Sequence, residues 1–509
     1  MNSRWNKHMY RALLLLSFLG INALVLIGIG STFSYLNSGA DRASMLHLAH
    51  ETETTYLPKV HWSTLKNKGR DMEAQTLRDI ERDYLRAWYL RHQAYRHADA
   101  SLSQDHYTDS AQAKLKAIID FNKKRKINIH GITLSHHPDL EFYSADGKLV
   151  VFTDSNVRIH EAIYQNGELL RQQTQTHGYQ VMMLLEDGFW RIRHMTALEG
   201  VQSTQPPDGK AAIPELKVNT IKGLNYYPRD TPWELFGPLF STKITERDFE
   251  RIRKMGLNTV RVFVPYDGFG PDQLTKLENL MDIAEEKNLK VMLTLFDFYG
   301  DYDISDWSRT HRYAEIIVQG LKDHQALLAW DVKNEPDLDF VSRGESNVKA
   351  WLQELVFQIK NWDPTHPVTI GWSHPEKGSL LADQVDFVSF HYYLEPSDFP
   401  QAVAKLRETV PHKPLLLQEY GYSTYSGFWN LFSGSEQEQA RYYKDMQQAL
   451  EKEELPYMFW TLYDFEAVPK KVVGGLPWRR SPQQYFGCFD RVGRPKASYK
   501  YLISTAQDQ

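Results

Sequence analysis

The feature that most constrains the fold is a regular alternation of short apolar segments and amphipathic segments after residue 213. Eight parallel β/α units in roughly 290 residues are typical of a (β/α)8 TIM barrel. An open doubly wound sheet is the alternative, but no G-x-G-x-x-G follows the first predicted strand. The predicted strands are Ile221–Leu224, Thr259–Val264, Lys290–Leu295, Leu328–Val332, Pro367–Gly371, Phe387–Phe390, Leu415–Gln418 and Met458–Leu462.

The N-terminal region is unusual because residues 12–40 contain no Asp, Glu, Lys or Arg. Ala12–Ile29 is almost wholly apolar, and with the residues up to Leu36 it is long enough for a helix of roughly 30 Å. Three basic residues and no acid precede it, which predicts a cytoplasmic N-terminus and a body that is periplasmic or extracellular. Residues 1–40 are therefore predicted to be a cytoplasmic stub and a single-pass transmembrane signal-anchor. A signal peptide cleaved after residues 38–40 (Ser-Gly-Ala) is the alternative.

Residues 45–200 predict a small α+β domain. Apolar residues recur at helical spacing in Arg70–Ala98 and Ser110–Phe121. Three Asp-Gly or Asn-Gly pairs then separate apolar segments, which is typical of β-hairpins. Helices followed by a curled antiparallel sheet resemble the nuclear-transport-factor-2-like cone fold over about 130 residues. We expect this module to serve in docking or positioning, and its partner could be another protein.

The polar, Pro- and Gly-rich residues 201–214 predict a linker, which leaves residues 215–505 for the barrel domain. The formal net charge of −5 gives no global signature of nucleic-acid binding. One cysteine, Cys488, excludes an internal disulfide and a cysteine-cluster metal site. We expect no cofactor and no metal. Four histidines lack metal-ligand spacing and are expected to be solvated or hydrogen-bonded: His130, His136, His137 and His194.

Polar residues at the C-terminal ends of barrel strands face a common site. Glu335 and Glu419 follow the fourth and seventh predicted strands, on opposite walls. Their carboxyl groups can approach to about 5 Å, which is the separation of a retaining glycosidase pair. The other polar or aromatic residues at these ends are Asn225, Arg261, Asp297, Asn334, Trp372, His391, Tyr392, Tyr393 and Trp460.

The barrel sequence resembles the retaining glycoside hydrolases of clan A, most closely family 5, the cellulase and mannanase family. The matching segments are GLNYYP, TERDFERIRKMGLNTVRVFVP, LLAWDVKNEPDLDF, VDFVSFHYY, KPLLLQEYGYST and YMFWTLYDFE. The resemblance implies that Glu335 is the acid/base and Glu419 the nucleophile. It further implies that Asn334 binds the sugar 2-hydroxyl, and it assigns supporting or substrate-binding roles to Arg261, His391, Tyr393, Trp460 and, at the first strand, Asn225.

One departure from the family concerns the third strand, where many members carry a histidine and this chain reads LTLFDFYGDYD. Asp297, Asp301 and Asp303 of that segment lack a full set of calcium ligands and are expected to form a solvated rim. We also expect the charge of Glu419 to raise the pKa of Glu335, so that Glu335 is protonated when it acts as the acid.

These observations predict a membrane-anchored retaining glycoside hydrolase that cleaves β-linked polysaccharide or oligosaccharide outside the cytoplasm by double displacement. The alternative is a catalytically silent carbohydrate-binding or polysaccharide-assembly protein that uses the barrel as a scaffold. The sugar, the linkage and the choice between endo and exo action depend on the shape of the subsites, and the sequence leaves them open.

Overall fold

The computed structural model of the chain describes residues 56–63, 70–198, 217–427, 434–473 and 476–503. The predicted anchor (1–40) and the predicted linker (201–214) lie outside these residues. Within the described ranges, no helix combines the length and the apolar composition that a membrane span requires.

The N-terminal module is a six-stranded sheet with the order β1-β2-β4-β5-β6, in which β3 also pairs with β4. All pairs except β1–β2 are antiparallel, and the three predicted Gly-containing turns join β3 to β4, β4 to β5 and β5 to β6. Asn166 and Asp187 have positive φ angles and precede glycines that do too, as tight hairpins require. The elements are α1 (Ala74–His97), α2 (Asp109–Lys124), β1 (Lys59–Val60), β2 (Ile127–His136), β3 (Pro138–Tyr143), β4 (Leu149–Gln165), β5 (Glu168–Glu186) and β6 (Phe189–Ala197).

The eight strands after the linker form a closed parallel barrel in chain order, β7 to β14. Each predicted strand overlaps an observed one, so the predicted (β/α)8 barrel is confirmed. Most strand residues are buried because helices cover the outer face and side chains fill the interior. The strands are β7 (Lys222–Asn225), β8 (Thr259–Pro265), β9 (Lys290–Asp297), β10 (Leu327–Asn334), β11 (Val368–Trp372), β12 (Val388–Tyr392), β13 (Leu415–Tyr420) and β14 (Tyr457–Phe459).

The helices of the barrel alternate with its strands and place one apolar face against them. Short helices also occur in the loops after the fourth and eighth strands. In chain order the helices are α3 (Thr242–Lys254), α4 (Pro271–Glu286), α5 (Trp307–Leu321), α6 (Phe340–Arg343), α7 (Glu345–Trp362), α8 (Phe399–Thr409), α9 (Glu436–Lys452), α10 (Lys470–Val473), α11 (Pro477–Gln483) and α12 (Tyr499–Leu502).

The module contacts the barrel through buried polar groups as well as apolar ones. Arg158 of β4 donates two hydrogen bonds to Glu354 of α7, from Nε at 2.6 Å and from Nη2 at 2.7 Å. The ring of His160 lies 3.9 Å from that of Trp307 on α5. Both side chains of this ion pair are buried. Its two parallel hydrogen bonds require one relative orientation of the module and the barrel.

Candidate active site

The two predicted catalytic carboxyl groups meet at the C-terminal rim of the barrel. Glu335 directly follows β10 and has a left-handed backbone conformation (φ 45°, ψ 50°), whereas Glu419 lies within β13. One carboxylate oxygen of each residue and a ring nitrogen of His391 all lie within 4.8 Å of one another. This spacing leaves room for one sugar ring and matches the closer of the two glycosidase geometries.

Arg261 of β8 is the cation that organises the site. It is fully buried, and its Nη1 donates to Glu419 at 3.1 Å and to Asn225 at 3.0 Å. Its Nη2 donates to Asp331 at 2.6 Å and to Asn334 at 2.8 Å. The planar guanidinium therefore holds four side chains from the first, fourth and seventh strands in fixed positions.

The oxygen of Glu419 that does not contact Arg261 accepts a hydrogen bond from the Tyr393 hydroxyl at 2.5 Å. Burial and then the negative charge of Glu419 raise the pKa of Tyr393 well above its ordinary value of 10. Tyr393 therefore remains a donor over the physiological pH range. Together Tyr393 and Arg261 supply hydrogen bonds to both oxygens of the carboxylate, which favours its charged form.

His391 of β12 connects the two glutamates. Its Nδ1 is 2.8 Å from Glu335, and its Nε2 is 3.3 Å from Gln418 and 4.0 Å from Glu419. Burial lowers the pKa of His391, but the charge of Glu419 and the contact with Glu335 outweigh burial and raise that pKa above 6.5. The imidazole therefore holds a proton next to Glu335.

The expected rise in the pKa of Glu335 is wrong for this structure. Burial raises the pKa of Glu335, but the hydrogen bond from His391, followed by the charges of His391, Arg261 and His374, brings it below 4.5. Glu335 and His391 are close enough to share one proton, and they titrate as a pair. The proton available for catalysis therefore belongs to this pair.

A cavity of about 320 Å³ opens beside both glutamates. Of the predicted substrate-binding residues, Asn334 and Trp460 line it, and the indole Nε1 of Trp460 has no hydrogen-bond partner among the described residues. Arg261 and His391 are fully buried behind the glutamates and act on them rather than on the cavity. Asn225 is also fully buried, and its amide nitrogen donates to two backbone carbonyls, so it positions Arg261.

Of the three aspartates expected to form a solvated rim after the third strand, Asp301 and Asp303 are exposed, whereas Asp297 is not. Asp297 is buried, lines the cavity and accepts a hydrogen bond from the Tyr227 hydroxyl at 2.7 Å. Sequence analysis did not identify Lys333, which precedes Asn334, is 5% exposed and lines the same wall. The nearest carboxylate to its amine is that of Asp339, at 3.9 Å. Burial lowers the pKa of Lys333, since the neighbouring acids compensate only in part.

Glu335, His391 and Glu419 are also spaced as three ligands of a metal ion would be. The guanidinium of Arg261 lies 3.1 Å from Glu419. Its fixed positive charge repels a divalent metal ion from this position. The donor set therefore fits acid–base chemistry better than metal coordination.

Comparison with known proteins agrees with this geometry. Residues 222–466, which include both glutamates, match the family model described as cellulase (glycosyl hydrolase family 5). The barrel sequence is therefore similar to that of glycosyl hydrolase family 5 domains. Its matched region begins at β7 and ends beyond β14, so it comprises the whole strand barrel and excludes the N-terminal module.

Curated relatives match this domain at low identity. The β-glucuronidase of Chlorocebus aethiops is 23% identical over 284 residues, which cover 52% of this chain and 41% of that protein. Mannan endo-1,4-beta-mannosidase A of Emericella nidulans is 26% identical over 194 residues, 30% of this chain and 50% of the relative. The chain thus spans half or less of these relatives. Among solved structures, the exo-beta-1,4-mannosidase Op5Man5 from Opitutaceae bacterium strain TAV5 is similar at 20% identity and TM-score 0.46, covering 55% of this chain and 58% of that one.

Proposed function

We propose that this chain is a retaining β-glycosidase that cleaves β-linked glycans by double displacement. The observation that supports this most directly is the approach of the Glu335 and Glu419 carboxylates within 4.8 Å across one cavity. Inverting enzymes hold the two groups further apart because a water molecule enters between the sugar and the base.

In the first step, a Glu419 oxygen bonds to the anomeric carbon as the bond from that carbon to the glycosidic oxygen breaks. The proton shared by Glu335 and His391 moves to the departing oxygen. In the second step, Glu335 removes a proton from water, the water oxygen bonds to the anomeric carbon, and the Glu419 carboxylate leaves. Arg261 and Tyr393 stabilise that carboxylate before the first step and after the second.

The charge of the cavity favours a neutral sugar. Four carboxyl groups line it (Asp297, Glu335, Asp339 and Glu419), whereas Lys333 is the one basic side chain among its lining residues. A uronate would bring a further negative charge into this wall, at a distance where repulsion is not screened by salt. We therefore propose that the substrate is a neutral β-glycan rather than a β-glucuronide. The names of the mannosidase relatives also refer to a neutral sugar.

The test is hydrolysis of aryl β-mannosides, β-glucosides and β-glucuronides by the full chain and three variants. Glu419→Gln is expected to remove turnover, and Glu335→Gln to reduce kcat by about 10²–10⁴-fold for substrates whose leaving group needs a proton. The matched control is Glu376→Gln, because Glu376 is exposed on the same barrel and, among the described residues, forms an ion pair only with Lys405.

A 2-fluoro-glycoside that accumulates as a covalent adduct on Glu419 would identify both the nucleophile and the accepted sugar. NMR of the first product is expected to show net retention of the anomeric configuration, which would support the double-displacement mechanism. Binding of glycans with no turnover and no adduct would instead favour the silent carbohydrate-binding protein.

For the location, we propose that residues 12–40 anchor the chain in a membrane with the barrel outside the cytoplasm. The support is the uncharged apolar segment preceded by basic residues. Deletion of residues 1–40 is expected to move the protein from the membrane fraction to the soluble fraction. A chain that remains cytoplasmic and soluble with residues 1–40 intact would contradict the proposal.

A further inference from the structure

The interior of the N-terminal module contains a second group of polar side chains, remote in sequence from the catalytic residues. Helix α1 presents Trp88, Arg91 and His92 on one face, at spacings of three and four residues. The guanidinium carbon of Arg91 lies 4.6 Å from the centre of the Trp88 ring. The rings of His92 and of His136, on β2, lie 5.8 and 5.6 Å from the same ring. These groups therefore form one cluster around Trp88.

Several polar atoms of this cluster are buried and have no hydrogen-bond partner among the described residues. His92, Tyr107 and His136 are at most 5% exposed. Buried polar groups in folded domains rarely lack a hydrogen-bond partner, because burial has already removed their hydrogen bonds to water. Their concentration at one place indicates a polar binding site. The unpartnered atoms are Arg91 Nε, His92 Nδ1 and Nε2, Tyr107 Oη and His136 Nε2.

His136 is oriented by a buried carboxylate. Its Nδ1 donates to Asp154 at 2.7 Å, and Asp154 also accepts from the Tyr84 hydroxyl at 2.9 Å and from the His137 backbone at 2.7 Å. Asp154 thus accepts three hydrogen bonds, and the donation from Nδ1 fixes the tautomer of the ring. The free Nε2 of His136 is then an acceptor that faces the cluster.

The opposite side of the cluster carries donors and a positive charge. Arg91 forms no ion pair with a carboxylate among the described residues; its Nη1 donates to the sulfur of Met195 at 3.6 Å, and the residue is partly exposed. Tyr107 lies beside Arg91. Burial, and then the positive charge of Arg91, lower the pKa of His92 to about 3. His92 is therefore neutral and offers one donor and one acceptor.

We propose that this cluster binds a small hydroxycarboxylate at a site separate from the catalytic cavity. The carboxylate would pair with Arg91 and accept from the Tyr107 hydroxyl, and a ligand hydroxyl would donate to His136 Nε2. This ligand supplies both a negative charge to the unpaired guanidinium and a donor to the orientated imidazole, whereas a simple anion supplies only the charge.

The test is calorimetric titration of the full chain in detergent with D-glucuronate, glycolate, acetate and inorganic phosphate. At least one hydroxycarboxylate is expected to bind about tenfold more tightly than acetate, because acetate has no hydroxyl group to donate a hydrogen bond to His136 Nε2. Equal binding of all four anions would overturn the proposal in favour of an unspecific anion site. Absence of binding at concentrations up to about 10 mM would overturn it altogether.

Variants locate the site. Arg91→Met is expected to weaken binding about tenfold or more, with partial recovery in Arg91→Lys. Arg125→Met is the matched control, since Arg125 stacks on Phe121 of the same module. Tyr107→Phe removes one hydroxyl and keeps the packing, so it tests the site even where Arg91→Met fails to fold. Binding that survives both Arg91→Met and Tyr107→Phe, or that is lost in Glu419→Gln, would overturn the proposal.

Discussion

The barrel and the N-terminal module each place an arginine beside aromatic rings but pair it in opposite ways. Arg261 donates to five side chains, and two of these are carboxylates. Arg91 lies over aromatic rings and has no such carboxylate among the described residues. A hydrogen-bond network in which every charge is paired holds its side chains in place for chemistry on a neutral substrate. A network with a cation that lacks a carboxylate can instead bind an anionic ligand.

The largest effect that tests this comparison is expected from Arg261→Met. The substitution leaves Asp331 and Glu419 buried without their cation, which destabilises a fold by about 3–5 kcal/mol. Turnover is expected to fall at least about 10³-fold because the nucleophile loses its fixed position. Arg91→Met, by contrast, is expected to lower the free energy of unfolding by about 1–2 kcal/mol, because it removes contacts with aromatic rings but leaves no buried carboxylate without its cation. Denaturant titration of both variants measures the difference, and equal losses of stability would refute the contrast.

The second effect concerns the ion pair between the two units. Arg158→Ala or Glu354→Ala is expected to destabilise the chain by about 3 kcal/mol, since each strands a buried charge. The double variant Arg158→Met/Glu354→Met is expected to lose less than either single variant. The exposed pair of Lys405 and Glu376 is the control, and its removal is expected to change stability by less than about 0.5 kcal/mol. Additive losses in the double variant would show that the ion pair is not coupled.

The third effect is on the pH dependence of kcat/KM. The pKa of His391 lies above 6.5, so the pair with Glu335 keeps its proton until the pH rises past that value, and activity then falls. In His391→Asn the proton is held by Glu335 alone, whose ordinary pKa is 4.5. The basic limb is therefore expected to move to lower pH. An unmoved basic limb would assign it to another group.

The smallest effect is expected from Asp297→Asn. This change removes one of the four negative charges of the cavity wall and keeps an acceptor for Tyr227. The ratio of kcat/KM for a β-glucuronide to that for the neutral glycoside is expected to rise about threefold to tenfold. The ratio for Asp301→Asn, a position outside the cavity lining, is expected to stay at the value of the unchanged chain. A ratio that responds to neither change would argue against charge as the basis of selection.

The strand ends of the barrel could be predicted because parallel strands place successive C-termini at one rim. Glu335, Glu419, Asn334 and Arg261 are far apart in the chain, and the structure brings them together as the pattern implied. The role of Lys333 could not be predicted, since a register shift between Asp331 and Asn334 determines which side chains of β10 reach the cavity.

The pKa of Glu335 and part of the N-terminal module could not be predicted from the sequence. The pKa of Glu335 depends on the contact with His391, 56 residues later, and not on a local pattern. In the module, the Gly-containing turns predicted the hairpins, but β2 was missed because its sequence INIHGITLSH mixes polar residues and glycine with apolar ones. The similarity of the module to the nuclear-transport-factor-2-like fold and the protein partner stay predictions.

The left-handed backbone of Glu335 has a consequence for how this protein could lose its activity. A side chain at φ 45° is unfavourable by about 1–2 kcal/mol, and glycine does not carry that penalty. Glu335→Gly is therefore expected to melt at a higher temperature than Glu335→Ala, although both variants are expected to be inactive. The side chain proposed as the catalytic acid thus occupies a backbone conformation that glycine would adopt at lower cost.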